Sequence, residues 1–174
     1  RGTRKENARL AVQGVFQWLP KAMAEPDNRE ARLGMAPAAY HAGVAINQVS
    51  VGNVHAIAHQ LGARYGIPHG QANALALPPV LKACVAEAES ALAELAVVTD
   101  VSDAASPAAR AQAFIEAVSQ LIADVGIAES DARIQPADWT LLTHQAMDES
   151  DGYVSPRLLT KAEILGVLEQ ITAR

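Results

Sequence analysis

The sequence has 174 residues, of which 50% are hydrophobic, 19% are charged and 4% are aromatic, and its net charge is −5 at neutral pH. This length suits one well-buried domain, and a core with so few aromatic rings must be built from Ala, Leu, Val and Ile, as in closely packed helices. The negative net charge and the lack of a dense Lys/Arg run argue against nucleic-acid binding, because phosphate recognition needs clustered cations.

The single cysteine, Cys84, cannot form an intramolecular disulfide, so the chain shows no adaptation to an oxidising compartment. Its first residues are polar, and apolar stretches such as 72–80 are short and contain prolines. Neither a secretion signal nor a membrane span is expected from these patterns. We therefore expect a cytoplasmic protein that does not bind membranes.

Helical patterns begin at the amino end. Apolar residues at helical spacing predict a first helix over Lys5 to Leu19, which Pro20 should end. Asp27 and Glu30 have capping-box spacing and predict a second helix that begins there, extends to about Val49, and is kinked or restarted by a proline at 37.

The middle and the end of the chain continue in the same way. A short helix is predicted over Asn53 to Leu61, a loop at residues 68–70 should lead into another helix, and Pro78-Pro79 should break that helix in two. Three later helices follow from start and stop signals at Ser106-Pro107 with Gly126, at Pro136 for residues 139–147, and at Thr160 with Glu163. No alternating run predicts a strand, so we expect a single all-α domain, a multi-helix bundle over residues 1–174, with about seven to nine helices.

Three of the five histidines, His55, His59 and His69, fall within fifteen residues. Spacing of i,i+4 places His55 and His59 on one face of a helix, and the turn after Leu61 can return His69 to that face. Imidazole is a common ligand of divalent transition metals, so a metal site is one interpretation. Ordinary helix histidines hydrogen-bonded to the backbone are the other, and spacing alone leaves both open. Ala56 stands where a zinc metalloprotease needs its glutamate, which argues against proteolysis.

Two segments carry a resemblance to a known family. Residues 52–62, GNVHAIAHQLG, and residues 67–74, IPHGQANA, resemble the signature of the iron-containing (group III) alcohol dehydrogenases. Looser similarity at residues 32–44, 77–80 and 155–157 and in the final helix extends the resemblance over nearly the whole chain.

In that family a helical domain follows a dinucleotide-binding domain, and a divalent metal between them is held by one Asp and three His. The resemblance implies that His55 and His69 are metal ligands and that His59 lines the cleft as a catalytic residue that contacts the nicotinamide cofactor. Fe²⁺ is the expected metal, with Zn²⁺ as the alternative. The implied reaction interconverts a small alcohol and an aldehyde or ketone with NAD or NADP.

One part of the family pattern is missing. The family's first two ligands form an Asp-x-x-x-His pair upstream, whereas Asp27 is followed four residues later by Ala31, and His41 is preceded by Pro37. No strand-associated glycine-rich phosphate loop is present either. We therefore expect the other ligands and the N-terminal dinucleotide-binding domain to lie outside residues 1–174, and this chain to be inactive alone. The chain could also form a homo-oligomer.

Two other functions are compatible with the sequence. The competing functions are a non-catalytic helical binding or assembly module and a related metal-dependent keto acid reductase. His41 and His144 are interpreted as partly exposed helix histidines without chemistry, and Cys84 as a small buried hydrophobe. Asn73 either supports the loop that carries His69 or is an ordinary polar residue at a helix start.

Overall fold

The computed structural model describes residues 3–47 and 49–173. These residues form eight α-helices, one short 3-10 helix at Pro136–Asp138 and no strand beyond an isolated bridge between Asp131 and Thr172. The predicted all-α class is confirmed. Within the described ranges no helix is both long and apolar enough to cross a membrane. The helices are α1 (Arg4–Ala24), α2 (Arg29–Ile46), α3 (Asn53–Tyr65), α4 (His69–Ala83), α5 (Val85–Val98), α6 (Pro107–Asp124), α7 (Trp139–Ser150) and α8 (Lys161–Ile171).

Two compact units divide the chain. The first comprises the described residues of Arg1–Ser50 and Glu89–Gly126, and the second comprises those of Val51–Ala88 and Ile127–Arg174, so the boundary falls within α5. The single domain expected over residues 1–174 stays a prediction, because compact units of one chain can still unfold together.

In the first unit, α1 packs along α2, and two glycines permit the close approach. A Cβ atom at Gly14 would lie 2.7 Å from the Cβ of Ala38, and one at Gly34 would overlap the Trp18 ring. Carbon atoms in contact need about 3.5 Å, so a larger side chain at either glycine would push the helices apart.

The second unit contains the histidine cluster. Helix α3 packs against α4 and α7, and α8 packs against the same two helices. Ile57 and Leu61 of α3 are 2% and 0% exposed and face the core of this unit. His55 and His59, each two residues before one of these core residues in the same helix, are only half-buried. The core therefore fixes the orientation of α3 while its histidines remain accessible.

Prolines interrupt the helices less than predicted. The expectation that α1 ends before Pro20 is wrong, since the helix continues to Ala24, and Pro78-Pro79 does not split α4. Pro37 likewise lies inside a continuous α2. A proline removes one backbone donor, and the packing of the surrounding helix can outweigh that loss. Pro79 is itself buried in α4, which fits this explanation.

Helix caps were predicted more accurately. The Thr160 and Glu163 capping box at α8 and the Ser106 cap with its following proline at α6 are confirmed. At α2 the predicted cap was off by one residue, because the Asn28 side chain, not Asp27, accepts the backbone N–H of Ala31. Both residue types are good caps, so the sequence alone did not discriminate between them.

Arg157 ties the segment before α8 to the rest of the second unit. Its guanidinium donates to the two carboxylate oxygens of Glu163 at 2.5 and 2.9 Å and to the carbonyl of Ala83 at 2.6 Å. A further ion pair joins it to Glu87 at 3.2 Å. Hydrogen bonds from Arg157, and then from Thr160, lower the pKa of Glu163 to about 2.

This pair predicts a pH dependence of stability. The folded-state pKa of Glu163 lies below its ordinary value. Its contribution to the free energy of unfolding is therefore complete above roughly pH 4.5 and is lost as the pH falls toward 2. We expect Glu163→Gln to lower the denaturation midpoint at pH 7 and not at pH 2, where the carboxylate is becoming protonated. The effect at pH 7 should be modest, because an accessible ion pair is screened by solvent. Urea titrations at several pH values measure this difference. Glu169→Gln, at an exposed position of the same helix, is the control, and an equal loss at both pH values would contradict the prediction.

Candidate metal centre

The start of α3 is anchored to the segment after α7. The backbone N–H of Asn53 donates to the Ser155 hydroxyl at 3.1 Å, and the Asn53 side chain donates to the carbonyl of Arg157 at 2.8 Å. Gly52 permits this contact, since a Cβ atom there would lie 2.6 Å from the Ser155 oxygen. The first turn of α3, which carries His55, is thereby held in place.

A tight turn brings the third histidine back. Helix α3 ends at Tyr65 and is capped by Gly66, whose φ of 65° lies in the left-handed region that favours glycine. Ile67 is then 2% exposed, and α4 begins at His69 directly after Pro68. The Asn73 side-chain amide donates to the backbone carbonyl of His69 at 2.9 Å, and its nitrogen lies 3.2 Å from Nε2 of that ring. This geometry favours a supporting role for Asn73.

The structure brings His55, His59 and His69 together. Their ring centroids are 5.7 Å apart for His55 and His59, 5.3 Å for His55 and His69, and 5.4 Å for His59 and His69. Imidazoles that share one tetrahedral metal, with bonds of about 2.0–2.1 Å, hold their centroids at roughly 5 Å. The spacing of the three rings is therefore similar to that of imidazoles around one metal.

The surroundings of His55 favour its neutral form. Burial lowers the pKa of His55, the nearby rings of His69 and His59 lower it further, and Glu149 opposes the change. A neutral imidazole has a free lone pair, which is the form that binds metals. His55 is thus suited to act as a ligand at neutral pH.

Glu149 of α7 is part of the site, and the sequence analysis did not identify it. Its carboxylate lies 2.5 Å from Nδ1 of His59, and it accepts hydrogen bonds from the Tyr153 hydroxyl and the Gln60 amide, each at 2.6 Å. Burial raises the pKa of Glu149, but hydrogen bonds from Tyr153, His59 and Gln60 outweigh that and lower it. Glu149 is separated from His59 by 90 residues, so no local spacing could have revealed the pair.

Ring spacing and donor atoms lead to different conclusions about this cluster. In the described part of the chain, no group of three or more His, Cys, Asp and Glu side chains is arranged to hold a metal ion. Centroid distances do not fix which nitrogen faces which, and Nδ1 of His59 already contacts Glu149. The donor atoms decide between the two, because a metal is bound by atoms and not by ring centres. The described residues therefore do not form a complete metal site, and any metal bound here would need ligands from outside this cluster.

The remaining sequence candidates lie outside the cluster. Nδ1 of His41 lies 2.8 Å from the Asn7 side-chain oxygen in the first unit, and Nε2 of the exposed His144 lies 3.1 Å from Nζ of Lys161. Cys84 is buried, and burial raises the pKa of its thiol. Cys84 is thus buried as predicted, and the absence of a chemical role for His41, His144 and Cys84 stays a prediction.

The comparison with known families identifies the fold of this site. Residues 6–172 match the C-terminal part of the Fe-containing alcohol dehydrogenase family. The chain belongs to that family. A relative, 1,3-propanediol dehydrogenase from Citrobacter freundii, is 33% identical over 163 residues, which are 92% of this chain and 42% of the relative. The chain thus spans about two fifths of the length of this curated relative.

Solved structures of the same family share the fold. The crystal structure of 1,3-propanediol oxidoreductase has a TM-score of 0.93 at 30% identity, covering 98% of this chain and 46% of that one. An alcohol dehydrogenase from Oenococcus oeni has a TM-score of 0.89 at 33% identity, covering 95% and 44%. Family membership supports the general oxidoreductase class. The ligand roles of His55 and His69 and the catalytic and cofactor-contacting role of His59 stay predictions.

Proposed function

We propose that this chain is the metal-binding C-terminal part of an NAD(P)-linked alcohol dehydrogenase that interconverts a small alcohol and an aldehyde or ketone. The observation that carries the proposal is the convergence of three imidazoles, with centroids 5.3 to 5.7 Å apart, in a member of the Fe-containing alcohol dehydrogenase family. Small alcohols and diols are the first substrates to test, because the relative named above is a 1,3-propanediol dehydrogenase.

His55 and His69 are the proposed ligands contributed by this chain. Both are half-buried or exposed at helix starts, and neither ring is bound to a carboxylate in the described hydrogen bonds. A divalent cation, Fe²⁺ or alternatively Zn²⁺, supplies Lewis acidity toward the alcohol oxygen when bound. The remaining ligands are proposed to come from the part of the dehydrogenase that precedes this chain, which would also bind NAD or NADP.

His59 is proposed to move the proton. Oxidation of an alcohol releases a hydride from carbon, which the nicotinamide accepts, and a proton from oxygen, which needs an acceptor. The His59 side chain is 39% exposed and lies against both other rings. It can therefore exchange a proton with the substrate side of the cluster and with solvent.

The chain alone should bind divalent metals weakly. Two or three imidazoles without a carboxylate ligand form an incomplete and neutral shell, so most of the binding free energy of the complete site is absent. We expect His55→Ala and His69→Ala each to lower the residual affinity at least about tenfold, since even the loss of an outer-shell partner costs about 10–100-fold. Calorimetric titration with Zn²⁺, Ni²⁺ and anaerobic Fe²⁺ measures this.

The matched control for the titration is His144→Ala, which removes an exposed histidine outside the cluster. It should leave the affinity unchanged. Binding that survives both cluster substitutions at the wild-type affinity would contradict the ligand roles. The reaction itself is tested by coupling alcohol oxidation to NAD(P) reduction in the longer dehydrogenase, and a metal-loaded protein inert toward every alcohol and carbonyl tested would favour a non-catalytic module.

A further inference from the structure

The half-buried carboxylate of Glu149 accepts hydrogen bonds at both of its oxygens. Three donors from two segments meet it: the His59 ring and the Gln60 amide on α3, and the Tyr153 hydroxyl just after α7. Oxygen Oε1 receives His59 and Tyr153, and Oε2 receives Gln60. Such a carboxylate has little freedom to rotate, so it can hold a partner ring in one orientation.

The contact with His59 has a chemical direction. An ionised carboxylate only accepts hydrogen bonds, and Glu149 already accepts from a hydroxyl and an amide. At the 2.5 Å contact the proton must therefore be carried by Nδ1 of His59. A neutral imidazole carries one proton, so Nε2 then has the free lone pair.

We propose that Glu149 is a positioning residue that holds His59 as the Nδ1–H tautomer, so that Nε2 is the nitrogen that exchanges protons in the reaction. The tautomer follows from the contacts alone, whereas the proton exchange rests on the function proposed above. Carboxylates orient catalytic or metal-bound imidazoles in this manner in other proteins. Here the orienting carboxylate comes from α7 and acts on a ring of α3.

Gln60 and Tyr153 support this arrangement. The Gln60 amide bridges Oε2 of Glu149 at 2.6 Å and the backbone carbonyl of Ala56 at 3.1 Å, which joins the carboxylate to the body of α3. Tyr153 lies four residues after Glu149 and donates its hydroxyl to Oε1 of that carboxylate. Gln60 occupies Oε2 and Tyr153 occupies one lone pair of Oε1, so the second lone pair of Oε1 accepts the Nδ1–H of His59.

The tautomer can be measured directly in this chain. Long-range ¹H–¹⁵N correlation spectra at pH 8.5, about two units above the ordinary pKa of histidine, distinguish a protonated from an unprotonated ring nitrogen. His59→Gln assigns the signals. We expect Nδ1–H for His59 in the wild type. In Glu149→Gln the amide oxygen is expected to keep the Gln60 donor, which turns the amide NH2 toward Nδ1 and shifts His59 to the Nε2–H form. In Glu149→Met the acceptor is gone, and we expect the Nδ1–H form to lose its dominance.

Asp148→Asn is the matched control, because Asp148 is exposed on the same helix and should leave the His59 signals unchanged. A wild-type His59 protonated at Nε2, or a Glu149→Met spectrum identical to wild type, would overturn the proposal. The wild-type spectrum alone decides which nitrogen of His59 carries the proton, even where a variant fails to fold.

Kinetics of the longer dehydrogenase provide the second readout. Glu149→Met should lower kcat by about 10²-fold or more with unchanged metal content and similar KM, because loss of an orienting carboxylate costs up to about 10⁴-fold in a serine protease triad. Glu149→Gln should not recover that loss, because its amide NH2 donates to Nδ1 of His59 and stabilises the other tautomer. Equal kcat in wild type and Glu149→Met would overturn the positioning role. A longer protein without any activity, but with the expected tautomer, would instead count against the proposed function alone.

Discussion

Purified alone, the 174-residue chain is expected to reduce neither NAD⁺ nor NADP⁺ with ethanol, 1-propanol or 1,3-propanediol, in the presence of Fe²⁺ or Zn²⁺. Hydride transfer needs the alcohol carbon and the nicotinamide carbon held about 3–3.5 Å apart. The described residues contain no strand on which a glycine-rich dinucleotide loop could be built. This chain covers only 42% of the related 1,3-propanediol dehydrogenase. A family member of full length therefore has room for the cofactor-binding part that we propose, and it should catalyse the reaction.

The difference should be large, since holding the two reactants together accounts for about 7–11 kcal/mol of barrier lowering in well-oriented systems. Absorbance at 340 nm follows the cofactor in both proteins under identical metal loading. Circular dichroism of the isolated chain serves as the control for folding, with a helical spectrum expected from its eight described helices. Sustained cofactor reduction by the folded chain alone would show that it binds the nicotinamide without a further domain.

Helix starts could be predicted from the sequence, and helix continuity could not. Thr160 with Glu163 and Ser106 with its proline identify starts because the side chain that satisfies the first N–H groups is local. The predicted breaks at Pro20 and Pro78-Pro79 are wrong because helix continuity depends on packing from elsewhere in the chain. The sequence shows that a proline removes one backbone hydrogen bond from the helix. It does not show how much packing stabilises the helix around that proline.

The same division applies to the site. His55 and His59 share a helical face at i,i+4 spacing, and the turn at Gly66 makes the return of His69 predictable. Glu149 belongs to the cluster through a contact across 90 residues of chain. Its own neighbours, Asp148 and Asp151, are equally acidic, so composition gave no reason to choose it. Packing of α3 against α7 is what selects Glu149.

Substitution of the three clustered histidines in the full-length dehydrogenase proposed above should separate their roles. We expect His55→Ala and His69→Ala each to lower alcohol-dependent turnover about 10³-fold or more and to abolish stoichiometric metal binding. Lewis-acid stabilisation is worth several kcal/mol, and each 1.36 kcal/mol is tenfold in rate. His59→Ala should lower kcat about 10²–10⁴-fold, the usual range for a lost acid or base, while metal content remains at the wild-type value.

Elemental analysis of each purified variant, paired with kcat and KM for one alcohol, makes this comparison. His144→Ala is the control, because its ring lies at the surface of α7, with Nε2 3.1 Å from Nζ of Lys161, and should change neither quantity. Metal loss in His59→Ala would mean that this ring is a ligand and that its contact with Glu149 orients a metal-bound imidazole. Full metal content in both His55→Ala and His69→Ala would place the metal elsewhere, since the shell proposed here cannot lose an imidazole and keep its affinity.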